Sequence, residues 1–161
     1  MQLVIADTGP INYLILIGHV DLLPRMFERV AIPKAVQAEL STSRAPLPVQ
    51  QWITTPPVWL GIHDTTGLPL VSGLDDGETA AIALAEFLHA DLLLMDERDG
   101  SRIAHSRGLR VTGTLGLLDL AAEHGLVDFS QAIEKLESTN FHRPAALLKV
   151  LLKKHSKDGN A

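Results

Sequence analysis

The sequence contains no cysteine. It can therefore hold no disulfide framework, no thiolate zinc site and no thiol nucleophile, which removes redox and cysteine-hydrolase readings. Its seven histidines lie at least 13 residues apart, so no local histidine metal motif exists. There is no uninterrupted apolar run of about 18 residues, and the opening Met1 to Ala6 lacks the basic leader and cleavage region of a signal peptide. A soluble, cytoplasmic protein without membrane contact is expected. Positive charge is also in short supply: 14 Lys plus Arg stand against 19 Asp plus Glu, a net charge of −5. That balance argues against a protein that coats nucleic acid passively. It argues less against a metal-dependent nuclease, whose acidic ligands lower the net charge while bound cations restore attraction for phosphate. Two other families are missing their signatures. Gly9 and Gly18 do not make the glycine fingerprint of a nucleotide-binding Rossmann module. Gly9 also occupies the place where a haloacid-dehalogenase-type phosphatase would want a second Asp.

What is present fits one compact domain. A chain of 161 residues that is 46% hydrophobic can bury a core of its own, predicted over 1–155, with 156–161 as a disordered tail. The apolar run Leu3-Val4-Ile5-Ala6 reads as a central parallel strand and ends abruptly on Asp7-Thr8-Gly9-Pro10. Pro10 suits the first turn of a helix that Gly18 closes. A short helix over Val20 to Glu28 leads to a strand at Val30 to Ile32, and Pro33 starts the helix that carries Val36, Glu39 and Leu40. Residues 43–57, with four prolines, read as an irregular connection with a turn of helix around Gln50 to Ile53. A short strand over Val58 to Ile62 and a Gly/Thr/Pro loop then lead to an Ala-rich helix, Thr79 to His89, opened by Asp75-Asp76-Gly77-Glu78. The second clear buried strand, Asp91 to Met95, ends on Asp96. A helix, a short strand at Leu109 to Val111 and three more helical segments complete the chain. This alternation predicts an α/β fold with a central parallel sheet covered by helices on both faces and right-handed crossovers.

In such a sheet, acids at the carboxyl ends of strands converge although they are distant in sequence. Asp7 and Asp96 both occupy strand ends. Asp99 lies one helical turn beyond Asp96 and can face the same cleft. Packing several carboxylates together is unfavourable unless cations neutralise them, and ligation by oxygen alone selects hard ions such as Mg²⁺ or Mn²⁺. Each acid also has a plainer role: Asp7 as a helix cap, Glu39 as a solvated helix residue, Glu78 as a first-turn acid favoured by the helix dipole, and Asp99 as a surface partner of Arg102 or Arg98.

Taken in order, Asp7-Thr8, Val36-Gln37-Ala38-Glu39-Leu40, Gly77-Glu78 with Ala81 to Ala85, Leu93-Leu94-Met95-Asp96 and Asp99 resemble the PIN domain. The stretch Leu109 to Gly116 is similar to a branch of VapC-like proteins. The resemblance spans about residues 3–150. It implies a PIN-like three-layer fold and a Mg²⁺- or Mn²⁺-dependent ribonuclease, frequently the toxin of a toxin–antitoxin pair, dimeric and inhibited by a small protein antitoxin. By motif position it makes Asp7, Glu39, Glu78 and Asp96 the ligand set, with Asp99 assisting and Thr8 hydrogen-bonding within the site. Met95, where many PIN domains have Thr or Ser, and Gly100, where Phe is common, depart from the pattern. Asp75 is a reserve for the third acid. The rival reading is a PIN-fold protein that works by binding alone.

Overall fold

A computed structural model of the chain describes residues 3–142 and 144–159. Two compact units, Met1–Thr114 and Leu115–Ala161, occupy the span for which the composition predicts one domain. The first unit holds β1 (Leu3–Ala6), α1 (Thr8–Leu16), α2 (Leu22–Met26), β2 (Arg29–Pro33), α3 (Lys34–Leu40), α4 (Leu47–Thr54), β3 (Leu60–His63), α5 (Asp76–Phe87), β4 (Leu92–Leu94), α6 (Arg98–Ser106) and β5 (Val111–Thr112). Its five strands run parallel in the order β3-β2-β1-β4-β5. The parallel α/β sheet read from the alternation of elements is therefore what this unit forms.

The strands are continuous apolar runs because both faces of the sheet are withdrawn from water. On one face, Leu3, Ile5, Ala31, Leu93 and Met95 pack with Ala81, Ile82, Leu84 and Ala85 of α5 and Ala104 of α6. Their strand neighbours Val4, Ala6, Val30, Ile32, Leu92 and Leu94 point the other way by the two-residue period and are equally buried. α5 is buried at every position from Gly77 to Ala85, and its alanines permit that close approach. Truncating Ile82 there would cost about 2–5 kcal/mol through lost transfer energy and the cavity left behind.

Several expected bounds shift by a few residues, three of them for a plain physical reason. α4 extends over Leu47–Thr54 rather than one turn, because Pro48 falls in its first turn, where no helical N–H is needed, and Val49 and Ile53 share a buried face. β3 starts at Leu60 because Val58 is fully exposed. β5 falls at Val111–Thr112, where Leu93 and Leu94 supply its partners.

The second unit contains α8 (Phe129–Glu137) and α9 (Ala145–Gly159), preceded by α7 (Thr114–Glu123), which begins on the last residue of the first unit. Asp128 caps α8 by accepting from the Gln131 amide at 2.9 Å, and Phe129, Ala132, Ile133 and Leu136 form its buried stripe. The Phe129 ring stacks on His155 at 4.5 Å. Helical backbone continues to Gly159, while the end of the tail expected at 156–161 lies outside the described residues. No helix among the described residues is long and apolar enough to cross a membrane.

Candidate active site

β1 is the strand at which the order of the sheet reverses: the chain moves to β2 and β3 on one side, then to β4 and β5 on the other. A crevice opens outside the carboxyl ends of strands at such a point. Ala6 pairs with Leu94, and the Asp7 amide donates to the Leu94 carbonyl at 2.9 Å. The residues that follow both strands are thereby held at one edge. Asp7 is 6% exposed. It stands at the N-cap position of α1 without a side-chain capping hydrogen bond, so capping does not account for its carboxylate. Burial pushes its pKa up to about 7; the Thr8 amide opposes this, and the charges of Glu39, Asp75 and Glu78 add to it.

Glu39 reaches this edge from the end of α3. The Thr8 hydroxyl donates to its Oε2, and its carboxylate lies against the first turn of α5. A Cβ at position 77 would stand 2.5 Å from Glu39 Oε2 and 2.7 Å from Oε1, so glycine at 77 is what admits the carboxylate. Glu78, 8% exposed, follows directly. Its pKa is also raised to about 7, by burial first and then by the charges of Asp75 and Glu97. Asp75 caps α5, accepting from the Glu78 amide at 2.8 Å, and Glu97 caps α6 in the same way through Gly100 at 2.6 Å.

Asp96 follows β4 and is half-buried. Its Oδ1 accepts from the Thr114 amide and its Oδ2 from the Thr114 hydroxyl, both at 2.7 Å. Burial raises its pKa in spite of these two bonds. Two glycines make room for it: a Cβ at Gly113 would lie 2.5 Å from Oδ1, and one at Gly9 3.4 Å from Oδ2. Asp99, by contrast, stays on the exposed side of α6 and faces Arg102 at 3.6 Å.

The charges of Glu39, Asp75 and Glu78 thus bear on Asp7 and those of Asp75 and Glu97 on Glu78, Asp96 sits at the adjoining strand end against Gly9, and Asp99 stands apart. Among the described residues no three acids or histidines form a ready-made metal-binding group. The donor chemistry nevertheless fits a hard divalent cation, since every candidate offers carboxylate oxygen and the two most buried acids, Asp7 and Glu78, resist ionisation without positive charge nearby. Thr114 and Gly77 lie within motifs that carry the family resemblance, Leu109 to Gly116 and Gly77-Glu78, but have no role in the site read from sequence. The Thr-Gly-Thr step after the last strand was a usable sign of Thr114, whereas nothing local ties Gly77 to Glu39.

A family model described as the PIN domain matches residues 3–157. Among solved structures, the chain is similar to a PilT N-terminus domain protein from the hyperthermophilic archaeon Sulfolobus solfataricus. That pair has 16% identity and a TM-score of 0.53, over 89% of this chain and 99% of that one, a likeness of fold. No curated protein matches the chain.

Proposed function

The chain belongs to the PIN-domain family, whose members generally carry nuclease activity, and from that premise we propose that it is a Mg²⁺- or Mn²⁺-dependent endoribonuclease. The observation that carries this reading is the burial of Asp7 at the switch point of the sheet, its carboxyl opposed by the charges of Glu39, Asp75 and Glu78. Asp7, Glu39, Glu78 and Asp96 would hold the ion, whereas Asp99, turned to Arg102 on the exposed side of α6, would not reach it. A bound divalent ion supplies an activated water and neutralises charge on the phosphoryl oxygens. The protein's own groups prepare the site: Thr8 fixes the rotamer of Glu39, Thr114 fixes both oxygens of Asp96, and Gly77 and Gly113 keep space beside those carboxylates.

RNA is the proposed substrate. A VapC-like toxin role, with a small protein antitoxin and a homodimeric, cytoplasmic enzyme, is the biological setting that the family resemblance favours. The test is Mn²⁺-dependent cleavage of RNA by the wild-type chain and by Asp7→Asn and Asp96→Asn variants. Loss of cleavage in both is expected; unchanged activity in both would remove the assigned site.

One observation favours a second reading, a PIN-fold protein that works by binding alone. Both oxygens of Asp96 are engaged by Thr114, and Asp75 and Glu97 are occupied as caps. Absence of any effect of Mn²⁺ on thermal stability would favour it, since an ion that binds only the folded state must raise that stability.

A further inference from the structure

Residues 64–75 join β3 to α5 as an irregular segment, and loops of about 12 residues without secondary structure are usually functional or disordered. This one is anchored. Lys34 pairs with Asp64 at 3.9 Å, and Asp64 Oδ1 accepts from the Thr66 amide at 2.8 Å and the Thr66 hydroxyl at 2.5 Å. Farther along, the Thr79 hydroxyl donates to the Val71 carbonyl at 2.8 Å, and Val71 and Leu74 pack against the core. Gly67 and Gly73 turn the chain at φ of 86° and 88°, a backbone region that other residues rarely adopt.

Between these anchors lies a cavity of about 630 Å³ against Ala35 of α3 and Asp76, Thr79 and Ala80 of α5. Its size falls in the small-ligand range of about 300–1,000 Å³. The cavity continues the seam that holds Glu39. Ala35 is one helical turn from Glu39, and Asp76 adjoins Gly77, against which the Glu39 carboxylate lies.

The lining states what would fit. Leu68, Leu70, Val71 and Leu74 give apolar surface for the faces of a planar group. Thr65, Ser72 and Asp76 are the polar residues of the lining whose side chains are not committed elsewhere: among the described residues no side-chain hydrogen bond or ion pair engages any of the three. Among the described residues no Lys, Arg or His lines it, so with Asp76 present it disfavours phosphate. A flat, uncharged group with hydrogen-bond donors on its edge satisfies every element. The amine at N4 of cytosine is a donor that a carboxylate accepts from, whereas uracil presents a carbonyl in that place and would confront one acceptor with another.

We propose that this cavity seats a nucleobase of the RNA substrate beside the acid cluster and selects bases with an exocyclic amine, cytosine over uracil, through Asp76. The nature of the ligand rests on the nuclease reading. The test is fluorescence anisotropy of fluorescein-labelled tetracytidylate and tetrauridylate with the full chain in EDTA, where metal-dependent cleavage does not intervene. Tetracytidylate is expected to bind about fivefold or more tightly, the lower bound for one good polar base contact. Asp76→Asn, an exposed substitution, should bring the two affinities together, because an amide can serve either base. Ser72→Trp should fill the mouth and weaken both. Equal affinities in the wild type, binding of neither oligonucleotide, or a cytosine preference that survives Asp76→Asn would each overturn the proposal. Mn²⁺-dependent cleavage measured in parallel separates the two ideas. Cleavage without base preference discards the cavity alone, and base preference without cleavage discards the nuclease reading alone.

Discussion

Asp7, after β1, is buried and Asp119, on α7, is partly buried, and their carboxyls are displaced in opposite directions. Burial raises the pKa of each. At Asp7 the next contributions include the charges of Glu39, Asp75 and Glu78, and the result is about 7. At Asp119, hydrogen bonds from Lys154 at 2.9 Å and from His155 at 2.7 Å outweigh burial and hold the carboxyl below its usual value. Lys154 is shared with Glu123, and together the two acids push the ammonium up to about 12. Burial alone therefore does not mark a reactive acid. What distinguishes the two regions is the sign of the charge that faces the carboxyl. Asp119 and Glu123 are neutralised from within the chain, whereas Asp7 faces further negative charge.

Substitution at the two aspartates should break this comparison with opposite signs. Asp7→Asn is expected to reduce Mn²⁺-dependent cleavage at least ~100-fold, the upper end of the cost of losing even an outer-shell partner of a ligand. It should also stabilise the metal-free protein at pH 8 by about 2–4 kcal/mol. The sign follows from linkage. Between the unfolded value of 3.8 and the folded value of about 7, the folded state keeps a proton that the unfolded state has released. Stability therefore falls as pH rises through that interval and levels off above it. Denaturant unfolding of the metal-free variant and wild type at pH 5 and pH 8 measures both parts. Asp119→Asn should instead destabilise by about 1–3 kcal/mol, because it weakens charge-assisted bonds to Lys154 and His155, with cleavage unchanged. Its contribution is present above the ordinary carboxylate range and is lost on acidification through the lowered folded value.

Two smaller changes sharpen the picture within the sheet edge. Thr114→Val removes the hydroxyl donor to Asp96 Oδ2 and keeps the amide donor to Oδ1. A stability loss of about 1–2 kcal/mol and a ~10-fold loss of activity are expected, with Thr114→Ser restoring much of both. Gly77→Ala forces the Glu39 carboxylate aside, but that group is the end of a flexible side chain. Thermal stability should change by no more than about 1 kcal/mol, since alanine favours the helix, while activity drops.

How much of this was legible in the sequence depends on what fixed each residue. Asp7 and Asp96 could be placed from the sheet alone, since an apolar run that stops on an acid puts that acid at a strand end. The capping role that competed for Asp7 fails because its side chain makes no capping bond. Glu39 and Glu78 were legible only through family resemblance, because their meeting depends on α5 passing α3 closely enough for Gly77 to touch a carboxylate. Thr114 bonds an acid 18 residues earlier, a pairing set by the neighbourhood of β4 and β5 and invisible to local pattern. The helix at Leu47–Thr54 was obscured by its prolines, which lie at its start, where they cost no hydrogen bond.

On the proposed function, the sheet edge gathers negative charge that a bound divalent cation would relieve. Carbon-detected NMR titration of the Asp7 carboxyl, without and with saturating Mg²⁺, tests it most directly. A midpoint near 7 in the metal-free protein, falling well below the usual carboxylate range when Mg²⁺ is added, is the predicted result. A midpoint near the ordinary Asp value of about 3.9 that does not respond to Mg²⁺ would contradict it.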